Sequence, residues 1–85
     1  METVMTAREL RQQIAFRACL TTAVLHQARG KVKEKLRAAN LKVHHYSARE
    51  ITEMAEQWLA EPGHREIITQ IVRPYVHEMI FKTKR

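Results

Sequence analysis

Between Arg29 and Lys42 the chain carries Arg29, Lys31, Lys33, Lys35, Arg37 and Lys42 against one acid, Glu34. Cations at this density suit one kind of chemistry, the binding of polyanions. On a helix, 100° per residue puts Arg29, Lys33 and Arg37 in one row and Lys31, Lys35 and Lys42 in another. Val32, Leu36 and Ala39 fall between the rows as an apolar strip that can dock on a core. Like charges four residues apart repel by roughly 0.2–0.5 kcal/mol per pair, and an anion lying along the helix relieves that repulsion. Phosphates bound in this way supply affinity without reading sequence. These six residues are the candidate nucleic-acid contacts.

A competing reading is charge pairing. From Ser47 to Glu66 the chain has Glu50, Glu53, Glu56, Glu61 and Glu66 against only Arg49 and Arg65. An acidic helix after a basic one can pack beside it, within the chain or across a dimer. Exposed pairs of that kind contribute about 0–1 kcal/mol each.

Other chemistries find little support. The chain has five histidines. His44 and His45 are adjacent, and adjacent residues on a helix do not share a face. His26, His64 and His77 have no ligand partner at a recognised metal spacing, so no metal site is expected. The lone Cys19 sits in an apolar run, where burial makes a thiol inert. Asp is absent, as are a Gly-rich phosphate loop and a nucleophile elbow. A catalytic site and a cofactor are therefore not expected.

The elements that must hold the basic rows follow from composition and pattern. Eighty-five residues make one domain, and at this size self-association helps stability. The net charge is +6, and all nine acids are Glu, which suits helix interiors better than Asp does. No secretory signal or membrane span is visible, so a cytoplasmic setting is expected.

Thr6 and Glu9 have capping-box spacing, and Met5 with Leu10 has that of a hydrophobic staple, so a helix should start at Thr6. Ile14–Leu25 is apolar but for Arg17, and a helix apolar on nearly every side must be buried on nearly every side. Either the other helices wrap it or a second chain does. Gly30 should end or bend this helix, and Asn40 should cap the basic helix that follows. A straight helix from Thr6 to Ala39 is the alternative. Leu41–Tyr46 reads as a connection.

Ser47 with Glu50 repeats the capping box, and Tyr46 with Ile51 repeats the staple. Ile51, Met54, Ala55, Trp58 and Leu59 then follow the amphipathic-helix template up to Pro62-Gly63. A last helix begins near His64. Its broad apolar face runs from Ile67 to Ile80, and Pro74 should kink or break it. A helix-turn-helix reading of the last two helices is disfavoured, because the second is too apolar to lie in a groove.

The sequence therefore predicts an all-α fold over residues 1–85. It should be a small four-helix bundle, five if Pro74 breaks the last helix, with the apolar N-terminal helix central. The last two main helices should pack on it as an antiparallel pair. The expected function is a non-enzymatic module that contacts nucleic acid through the basic helix, as a dimer or an accessory subunit. The alternative is an adaptor or inhibitor that docks on another protein by its apolar and Glu-rich faces. Neither a membrane nor a small-molecule substrate is expected.

Overall fold

A computed structural model of the chain describes residues 5–81. It contains α1 (Ala7–Ala38), a short 3-10 turn (Val43–His45), α2 (Ala48–Ala60) and α3 (His64–Phe81). The fold is all-α, with three helices among the described residues rather than a bundle of four or five.

Two expected breaks do not occur. Gly30 lies inside the unbroken α1. An interior glycine costs about 1 kcal/mol against Ala. The buried row Val24, Ala28 and Val32 crosses that position, so packing on both sides of the glycine outweighs its cost. Pro74 likewise lies inside α3. It removes the donor that would reach the Gln70 carbonyl, but both residues are on the exposed side, where water can take the freed acceptor. The buried row Ile68, Val72 and Val76 runs unbroken past it.

The helix ends follow the capping signals. The Thr6 N–H donates to Glu9 Oε1 at 2.9 Å, and the Glu9 N–H donates to Thr6 Oγ1 at 3.1 Å. Ser47 and Glu50 make the same reciprocal pair at 2.8 and 3.1 Å. α1 stops because Asn40 takes a left-handed conformation, φ 63°. The Asn40 N–H then donates to the Arg37 carbonyl and the Leu41 N–H to the Leu36 carbonyl, the two bonds of a Schellman motif. The α2–α3 turn uses Gly63 at φ 85°, where a side chain would be strained. His64 braces this turn. Its Nδ1 lies 2.8 Å from the Trp58 carbonyl, and its ring stacks on the indole at 4.1 Å.

The core is three rows at four-residue spacing, one per helix: Val24, Ala28, Val32; Ile51, Ala55, Leu59; and Ile68, Val72, Val76. Ile68 is the largest fully buried side chain. Tyr46, Met54 and Trp58 pack around the edge. α3 leads back toward the N-terminal half of α1, where Phe81 reaches Phe16 at 5.7 Å between ring centroids. Arg73 lies over the same Phe16 ring at 5.7 Å. α2 and α3 each pack mainly on α1 and touch each other less.

This arrangement covers one side of a long helix. α1 has 32 residues, about 48 Å, against 13 in α2 and 18 in α3. The radius of gyration is 16.6 Å, where roughly 12 Å describes a compact chain of this length. The stretch Ile14–Leu25 is consequently not wrapped. Val24 is its one buried residue, and Ile14 is 60% exposed. Cys19 is half-buried rather than buried.

Candidate nucleic-acid interface

The unbroken α1 decides which cations stand together. His26, Arg29, Gly30, Lys33, Glu34 and Arg37 line one groove of about 320 Å³ along the helix. Arg29, Lys33 and Arg37 are thus the row expected from helical spacing. Arg29 and Lys33 are half-buried and Arg37 is exposed.

The second row is not assembled as expected. α1 ends at Ala38, so Lys42 lies in the connection beyond the left-handed Asn40 and does not extend Lys31 and Lys35. Lys35 lines a different groove, with Val32, Met54, Gln57, Trp58 and Glu61. Lys31 is exposed one turn earlier. The structure therefore brings together three of the six candidates and leaves Lys31, Lys35 and Lys42 outside that groove. Lys35 and Arg37 have a second physical role, since cations in the last turn offset the negative end of the helix dipole.

None of the six is ion-paired among the described residues. The ion pairs there are Arg49–Glu53 at 3.5 Å and His64–Glu61 at 3.6 Å, the latter only when His64 is protonated. The α2 glutamates are thus not folded onto the basic stretch within the chain. Glu34 stands on the groove wall and offsets part of its charge, yet forms no ion pair with a described cation. Arg29 Nε is buried with no hydrogen-bond partner among the described residues, as is Trp58 Nε1. An orphaned donor on a cation is costly, and an anion at Arg29 would relieve the field around it.

Two members of this groove were not legible as such. His26 reads from sequence as a surface or boundary residue, but it forms the wall shared with a second groove. Its place three and seven residues before Arg29 and Lys33 is the signal that finds it. Gly30 reads as a stop, but it leaves the groove open. A Cβ built there meets no atom within 4 Å.

The second groove is apolar and holds about 440 Å³. Ala18, Cys19, Thr22, Ala23 and His26 of α1 line it with Val76 and Met79 of α3. Among the described residues no three His, Cys or Glu side chains converge to hold a metal, and no helix is long and apolar enough to cross a membrane. No protein-family model, curated protein or solved structure matches this chain.

Proposed function

We propose that the chain is a non-enzymatic binding module that contacts nucleic-acid phosphates along α1, as a dimer or as an accessory to a larger complex. The observation that supports this reading is the row Arg29, Lys33 and Arg37, unpaired among the described residues and brought to one groove by one unbroken helix. Phosphates along a strand can meet successive cations of such a row, and each contact releases condensed counterions. The row holds guanidinium and ammonium groups with no partner set that would read a base edge, so affinity without sequence preference is expected. Lys31, Lys35 and Lys42 add positive field around the row rather than a second aligned set.

The test is charge reversal. Lys33→Glu/Arg37→Glu should abolish binding to random-sequence duplex at low salt while the helical circular dichroism stays unchanged, because Arg37 is exposed and Lys33 half-buried. Binding that survives the double variant would remove α1 from the interface. A second reading, docking on another protein by apolar and Glu-rich faces, is favoured by the exposed Ile67, Ile71, Tyr75 and Met79. It predicts no nucleic-acid binding and loss of a protein partner when those residues are changed.

A further inference from the structure

The basic groove is lined by two rows of α1 residues, not one. Arg29, Lys33 and Arg37 make the first. His26, Gly30 and Glu34 run beside it at the same four-residue spacing. The second row has a gap at its middle. A Cβ at Gly30 would meet no atom within 4 Å. The helix also passes through this position unbroken. An interior glycine weakens a helix, and here neither a turn nor a close neighbour asks for one. The gap therefore has no use within the fold, and it opens onto the cations.

We propose that one phosphate of the bound nucleic acid sits over Gly30, held by Arg29, Lys33 and a protonated His26, so that binding tightens as pH falls. This deepens the nucleic-acid reading above and rests on it. His26 is exposed and lies three, four and seven positions before Arg29, Gly30 and Lys33. Residues three and four apart on a helix are neighbours, about 5–6 Å between Cβ atoms. Three cationic side chains bordering a residue that has none make a cradle for a tetrahedral anion. Arg29 brings a guanidinium whose Nε has no hydrogen-bond partner, and whose charge has no ion pair, among the described residues. Imidazole takes up its proton between about pH 5 and 8, whereas guanidinium and ammonium groups stay charged throughout. Arg29 and Lys33 repel a third positive charge, and a phosphate between them removes that repulsion. Phosphate binding and proton uptake thus support each other. The other titratable groups that share the two grooves with His26 are Cys19 on its apolar side, and Glu34 and Arg37 further along the basic one. From α3 it meets Val76 and Met79, neither of which titrates, and no α2 residue lines either groove.

Fluorescence anisotropy with random-sequence duplex at about pH 5.5 and 8, each at about 50 and 200 mM salt, separates this site from the reading it rests on. Three contacts at the higher pH predict a loss of affinity of roughly 40-fold across the salt interval, and a fourth at the lower pH makes it roughly 150-fold. His26→Gln should hold the loss near roughly 40-fold at both pH values. His44→Gln/His45→Gln, outside the groove, should keep the wild-type change. Gly30→Leu puts a side chain into the gap and should weaken binding about tenfold or more, with helicity retained. Equal salt slopes at the two pH values, or a pH effect that His26→Gln leaves intact, would overturn the site while the row of three cations stands. Wild-type affinity in Gly30→Leu would overturn it as well. No binding at either pH at the lower salt would overturn the nucleic-acid reading, and this site with it.

Discussion

The two halves of α1 are treated in opposite ways by the rest of the chain. The N-terminal half, through Leu25, is the more apolar, yet Leu10 and Ile14 are more than half exposed and only Val24 is buried. The C-terminal half carries five of the chain's fifteen Lys and Arg, yet Ala28 and Val32 lie in the core. Burial here follows reach, not hydropathy. α2 and α3 together are shorter than α1, and both begin from the end where α1 stops, so they cover that end first. The lesson is that an apolar stretch states a demand for cover without saying which chain supplies it.

Core substitutions test this contrast most severely. Ile68→Ala should cost about 2–5 kcal/mol in denaturant unfolding, as a fully buried side chain leaving a cavity. Ile14→Ala should shift the monomer's stability by about 0.5 kcal/mol or less. Equal costs would mean that Ile14 is covered within the chain, and the contrast would collapse.

The two glycines sharpen it next. Gly63→Ala should destabilise by roughly 1–2 kcal/mol, because φ 85° disfavours a Cβ. Gly30→Ala should stabilise by about 1 kcal/mol, because its Cβ enters open space in a continuous helix. Thermal melts of both variants should move in opposite directions. A Gly30→Ala variant that melts lower would argue that α1 bends there in solution.

The smallest effect concerns the caps. Ser47→Ala should cost about 1 kcal/mol, since α2 begins against the core at Ile51. Thr6→Ala should cost less in global unfolding, because the first turns of α1 are exposed and can open locally. Amide exchange in residues 7–13 should then rise without a matching loss of overall stability. Equal losses for the two caps would show the N-terminal half of α1 to be as well held as α2.

What the sequence makes legible is local. Thr6 with Glu9, Ser47 with Glu50, and Asn40 mark helix ends because their hydrogen bonds close within a few residues. The α2 stripe is legible because Ile51, Ala55 and Leu59 have polar residues opposite them. Gly30 and Pro74 do not end their helices, because their local cost is outweighed by core rows that run past them. On α3, adjacent rows at 67, 71, 75, 79 and 68, 72, 76 have the same period, so periodicity alone cannot say which faces α1. The cationic row is legible from spacing. Its membership depends on where the helix ends, which is why Lys42 falls outside and His26 comes in.

The central claim is that three aligned cations, not six, bind phosphate. Fluorescence anisotropy of the wild type with random-sequence duplex, at about 50 and 200 mM salt, measures that number from the slope, near −0.9 per contact. Three contacts predict a loss of affinity of roughly 40-fold across that interval. No binding at the lower salt, or binding that ignores salt, would contradict the claim and leave the groove a charged surface.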